Sequence, residues 1–166
     1  MNATQMTAID RFIATLGIVA KEAHHLEWSR ARLFAQTIDS QWVEALAGHP
    51  EQAERLEAFV SRYGRLQDTL ADKLLPRWLL ALAETPGSQI ETLNRAERLG
   101  VVENVAVWLE ARQLRNRLIY EYMTDNTSFA KDLLLAESCS RMLIETARRL
   151  REDAMKRLHI PTSQLP

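Results

Sequence analysis

The sequence predicts an all-α domain, an antiparallel four-helix bundle with one additional short helix. Three observations predict it. Apolar residues recur at helical spacing through long stretches of chain. Gly and Pro number only 5 each, too few to punctuate many strands and turns. The turn signals fall between the periodic stretches, and short loops between long helices make antiparallel neighbours.

Thr7 can cap a first helix, in which Ile9, Phe12, Ile13, Leu16, Val19, Ala20 and Ala23 form one apolar stripe. The pattern continues through Leu26, Leu33, Trp42 and Leu46 and stops at Gly48, His49 and Pro50. Proline suits a first helical position, so a second helix is expected over 50–84, with Leu56, Phe59, Val60, Tyr63, Leu66, Leu70, Leu74 and Leu75 on its stripe. Pro76 removes the bond to the carbonyl of Asp72, which predicts a kink or a break there. After the turn at Thr85, Pro86 and Gly87, Ser88 and Glu91 make a capping box for a short helix ending at Gly100. A fourth helix over 103–123 and a fifth over 127–158 follow, with Asp125 or Thr127 as the cap between them. Residues 1–159 thus form one domain, and the tail 160–166, with two prolines, is expected to be disordered.

Composition narrows the function classes. Apolar residues make up 46% and charged residues 26% of the 166, which fits a globular domain and excludes disordered or collagen-like chains. With 21 Lys and Arg against 22 Asp and Glu, no global positive field draws nucleic acid, so any RNA contact must come from a local patch. The single Cys139 cannot form an internal disulfide, and residues 1–7 carry no basic residue ahead of an apolar run. A cytoplasmic location is the expectation. No apolar run approaches the roughly 20 residues that cross a bilayer. No Gly-rich phosphate loop and no metal-ligand spacing occur, so neither a cofactor nor a metal is implied. The neighbouring His24 and His25 point about 100° apart on a helix and cannot share one ion. Cys139 is expected to be a small core residue, and Trp28, Trp42, Trp78 and Trp108 to be core or interface anchors. The arginines at 148, 149 and 151 suit the negative end of the last helix's dipole and offer a basic rim for RNA as a second use.

The fourth helix carries the most information. Val107, Ala111, Leu114, Leu118 and Tyr122 fall on about one third of its circumference, the expected core face. Glu110, Gln113, Arg117 and Glu121 lie opposite, and Arg115 alone breaks the pattern by sitting in the apolar arc or at its border. A guanidinium there needs a partner or costs several kcal/mol, and Asp68 or Asp72 of the second helix can supply one. Arg112, Arg115, Asn116, Arg117, Tyr120 and Tyr122 together have the chemistry for phosphate contacts and base stacking. A solvated face of mixed charge has nearly the same composition.

The run Arg115-Asn116-Arg117-Leu118-Ile119-Tyr120-Glu121-Tyr122 resembles the signature of the HEPN superfamily of helical nucleotide-binding proteins, and of its HepT-like toxins in particular. That signature is an arginine, four spacers, a histidine, one spacer and a tyrosine, usually with asparagine or aspartate directly after the arginine. The lead-in at 108–114 and the segment at 65–70 are also similar to family segments, so the likeness spans the second to fourth helices. It implies a HEPN-like bundle, a homodimer, and an RNA-cutting cleft in which no metal takes part and the ribose 2′-hydroxyl attacks the adjacent phosphate. Arg115, Asn116 and Tyr120 match the catalytic positions, with Arg112 and Arg117 as nucleic-acid contacts. The resemblance further implies a partner antitoxin, a minimal nucleotidyltransferase, and makes Tyr122 the acceptor of AMP from it. An alternative within the same likeness is a non-catalytic subunit that docks this nucleotidyltransferase and is modified by it or presents nucleotide to it. The departure is at the histidine, which here is Tyr120. A phenol with a pKa near 10 is only about one part in a thousand ionised at pH 7 and makes a poor general base. The expected endoribonuclease activity is therefore weak or lost.

Overall fold

The computed structural model describes residues 2–120 and 125–166, Tyr120 by its backbone alone. The described residues are helical, without a strand among them. Helix α1 (Ala3–Leu33) is capped by Asn2, whose side-chain oxygen accepts from the Gln5 amide at 2.8 Å. The expected cap, Thr7, sits inside the helix and returns its hydroxyl to the Ala3 carbonyl. Asparagine is the stronger cap, and a threonine hydroxyl is easily satisfied four residues back.

The first helix does not run on to Leu46. Phe34 closes α1 through its amide to the Arg30 carbonyl, and extended Asp39 then caps α2 (Ser40–Glu44) by accepting from the Trp42 amide at 2.9 Å. A 3-10 turn (Ala45–Gly48) leads to Pro50. The apolar spacing survives this break because the segment folds back on the same core, where Ile38, Val43 and Leu46 are buried.

Pro50 opens α3 (Pro50–Thr69), which passes through a π turn (Leu70–Leu74) into α4 (Leu75–Ala81). The disturbance due to Pro76 is thus neither a break nor confined to the proline. The Leu75 amide reaches back to the Leu70 carbonyl, and the wider turn keeps the pyrrolidine ring off the chain before it. The capping box at Ser88 and Glu91 starts α5 (Gln89–Arg98) as the sequence predicts. At its end Gly100 adopts φ +80°, with amides of Gly100 and Val101 on the carbonyls of Glu97 and Ala96, the bonding of a Schellman stop. Helix α6 (Val105–Tyr120) begins at Asn104, whose side chain accepts from the Val107 amide. Asp125, not Thr127, caps α7 (Asn126–Arg157), accepting from the amides of Thr127 and Ser128. Where a disordered tail is expected, Ile160 is buried, a 3-10 turn forms (Thr162–Gln164) and Arg151 donates to the Pro166 carbonyl at 2.7 Å. An apolar residue directly after the last helix has core to bury against, which offsets the cost of ordering the tail.

Helix α1 lies against α3, α4 and α7, and α6 against α7 and α3. Phe12, Phe59, Tyr63, Trp78, Trp108 and Phe129 are the large side chains sealed inside. Trp78 on α4 is tied to α7 by its indole N–H, which donates to Asp153 Oδ2 at 2.6 Å, and Arg157 pairs with the same carboxylate. No helix among the described residues is long and apolar enough to cross a membrane. Trp78→Phe removes the donor to a buried carboxylate, so urea denaturation should show a loss of about 1–3 kcal/mol with an unchanged m value.

Candidate functional site

The core face of α6 is made by Trp108, Ala111, Leu114 and Leu118, all buried. Val107, expected among them, is exposed; it lies in the first turn of α6, and Trp108 is the buried residue at that end. The Ala111 carbonyl, already in the helix ladder, also accepts from the buried Tyr63 hydroxyl at 2.8 Å, which locks α6 to α3.

Arg115 leaves this face towards α3. Its Nη2 lies 3.0 Å from Asp68 Oδ2, with the arginine side chain 33% exposed. Of the two carboxylates the sequence offers, Asp68 is therefore the partner. Gly64, one turn before Asp68, makes the approach possible: a Cβ there would stand 2.7 Å from Arg115 Nε. That Nε–H is buried and has no hydrogen-bond acceptor among the described residues. Burial pushes the Asp68 carboxyl above its usual range even with Arg115 pulling it down, and Asp72 adds a like charge. So partly exposed a pair contributes at most about 1 kcal/mol, and its main effect is to aim the guanidinium.

Two clefts meet at this side chain. One, of about 390 Å³, is apolar, with Leu56, Val60, Leu118, Ile119 and Phe129 on its walls. The other, of about 340 Å³, is polar, with Arg65, Asp68, Thr69, Asp72 and Lys73. Ser61 and Arg115 belong to both. A guanidinium at such a junction can bind a phosphate through its free N–H groups while an apolar ligand part occupies the neighbouring cleft.

The sequence-derived residues divide between two sides of α6. Arg112, one turn before Arg115, donates to Gln89 Oε1 at 2.5 Å, and Gln89 in turn donates to Asp72 at 2.9 Å, so Arg112 stands by the polar cleft. Arg117 points away and grips Asp132 of α7 through Nε and Nη2, both at 3.1 Å. Asn116 is exposed, and Tyr120 is described by its backbone alone, in the helix. Tyr122 lies outside the described residues. Gly64, Ser61 and Lys73 join the site without having been singled out; a glycine in the middle of a long helical stripe was the available signal. No family model, curated protein or solved structure matches the chain.

Other marked residues have plainer settings. Cys139 is buried beside Tyr63, and burial pushes its thiol up. Arg148 is taken up by Glu145 and Glu152. Trp78 and Trp108 are core residues and Trp42 is half-buried, but Trp28 is exposed on α1. The rings of His24 and His25 meet edge to face at 5.7 Å. Near them Glu22 accepts from the Thr69 hydroxyl at 3.0 Å, while its other oxygen is buried without a donor among the described residues. Burial raises its pKa above the ordinary carboxylate value, Thr69 and Arg65 opposing.

Two outcomes follow from these contacts. Gly64→Ala normally gains about 1 kcal/mol in a helix interior, but here the added methyl must displace Arg115. A thermal-denaturation cycle should show that gain only in the Arg115→Ala background. For Glu22, a raised pKa means that the native state takes up its proton before the unfolded chain does. Its contribution to stability therefore grows as pH falls through the raised folded pKa, so the stability difference between wild type and Glu22→Gln should shift in favour of wild type as pH falls from neutrality towards the ordinary carboxylate range, read by denaturant titration.

Proposed function

We propose that the chain is a HepT-like HEPN protein of a toxin–antitoxin-type system. On this reading α1, α3 with α4, α6 and α7 are the four helices of an antiparallel bundle, α5 is the additional short helix, and two copies form a homodimer. RNA is bound at Arg115, and its cleavage without metal is weak or lost. The observation that carries the reading is the seat of Arg115: a guanidinium on an otherwise apolar helix face, passed over a glycine of α3 and left one-third open where two clefts join. A side chain needed only to brace two helices has no use for that opening.

The chemistry proposed is attack of the ribose 2′-hydroxyl on the adjacent phosphate, which forms a 2′,3′-cyclic phosphate and expels the next nucleotide's 5′-oxygen as a hydroxyl, with Arg115 stabilising the charge that develops on the phosphate oxygens. Arg112, held beside the polar cleft through Gln89, adds positive potential, while Asn116 is exposed and Arg117 is held by Asp132 of α7. The step also needs a group that takes the hydroxyl proton near neutrality. Tyr120 occupies the histidine position, and the four histidines, at 24, 25, 49 and 159, all lie off α6. A nucleotidyltransferase antitoxin is the proposed partner, with Tyr122 as its acceptor.

Growth on overexpression tests the reading. The wild-type chain is expected to slow growth weakly and Arg115→Ala to relieve it. Tyr120→His should raise RNA cleavage by at least about 100-fold, the lower range for a well-placed general base. No cleavage by Tyr120→His, together with no effect of either chain on growth, would overturn the assignment.

A further inference from the structure

An aromatic side chain stands on the surface where packing does not call for one. Trp28 on α1 is 55% exposed, and the Arg32 guanidinium lies 5.1 Å from its ring centroid. With Arg32, Arg55 and Arg62 it lines a cleft of about 340 Å³ between α1 and α3. Arg62 is fixed across that gap, its Nη1 donating to Ser29 Oγ at 2.5 Å and to the His25 carbonyl at 3.3 Å.

This cleft does not stand alone. Arg62 also lines the next opening together with Arg65, and Arg65 lines the polar cleft that ends at Arg115. A row of openings therefore runs along α3 from Trp28 to Arg115, each sharing an arginine with the next. Arg55 and Arg65 are ten residues apart on one helix, about 15 Å along its axis.

Four arginines of this row hold no carboxylate among the described residues, a state they share with Arg11, Arg77, Arg98 and Arg112. Arg117, Arg141, Arg148, Arg149 and Arg157 of α6 and α7 each hold a carboxylate. Among the described residues, Arg32, Arg55, Arg62 and Arg65 have none within 4.0 Å, although Glu51 and Glu54 line the same cleft as Arg55. A phosphate reaching them breaks no ion pair, and a half-exposed indole offers stacking area to an unpaired base.

We propose that Trp28 is a stacking platform for a base of single-stranded RNA whose backbone follows Arg55, Arg62 and Arg65 to Arg115. The inference rests on Arg115 being the RNA-facing group of the function proposed above. A duplex hides its base faces and has no use for the indole. An acidic protein surface would be met by the arginines alone.

Fluorescence anisotropy of a fluorescein-labelled oligouridylate on the full chain tests this. Trp28→Ala should weaken binding about tenfold and Trp28→Phe restore most of it, with an unchanged thermal midpoint because the side chain is exposed. The double variant Arg55→Gln, Arg65→Gln should flatten the slope of log affinity against log salt by about 1.4. Equal affinity of Trp28→Ala and wild type overturns the inference, and if Arg115→Ala still weakens binding the functional assignment stands. Displacement of the oligouridylate by poly-glutamate at equal charge also overturns it and marks the groove as a surface for an acidic protein. Absence of oligouridylate binding by wild type overturns it as well; the growth and Tyr120→His experiments then judge Arg115 independently.

Discussion

An arginine side chain laid across the seam between two packed helices needs space that an alanine on the facing helix would fill. In this molecule the space is the missing side chain of Gly64, and the consequences spread from it in both directions. Because α3 yields there, α6 can keep Leu114 and Leu118 in the core while Arg115, between them, leaves sideways to Asp68. Because the guanidinium occupies the gap, the seam opens into an apolar cleft on one side and a polar one on the other. Neither the pair with Asp68 nor the loss of helix propensity at glycine is large. Their value lies in direction, since they decide where a permanent positive charge meets solvent.

Much of the fold was legible because its determinants are local. The capping box at Ser88 and Glu91, the stop at Gly100, proline at the head of α3 and Asp125 before α7 are chemical signals that act within a few residues. What escaped depends on contacts distant in sequence. The apolar stripe through Leu33, Trp42 and Leu46 is continuous in spacing but broken in space, since packing on a common core imposes a similar pattern on both sides of a turn. Ile160 likewise draws an ordered tail behind it although two prolines argue for a loose end.

The site was legible to the same degree. A charge on an apolar arc identified Arg115 and narrowed its partner to two carboxylates, because helical geometry fixes which side chains share a face. Helical geometry says nothing of neighbours, so Arg112 and Arg117 looked alike in sequence and are separated in space, one beside the polar cleft and one bound to α7. Trp28 shows the converse limit. Its size suggests an anchor, yet it lies about 160° round α1 from the buried Leu26, and the ring is left to Arg32 and solvent.

The π turn ahead of Pro76 carries a consequence for the whole second half of the chain. One residue more than a regular helix requires is stored between Leu70 and Leu74, so the sequence phase of α4 is offset from that of α3 by about 100°. Winding the same residues as a regular α-helix would turn the Trp78 indole about 100° off Asp153 and uncouple α4 from α7. The surplus residue therefore works as a phase adjuster, letting one continuous rod serve the arginine groove with its first half and the tryptophan anchor with its second.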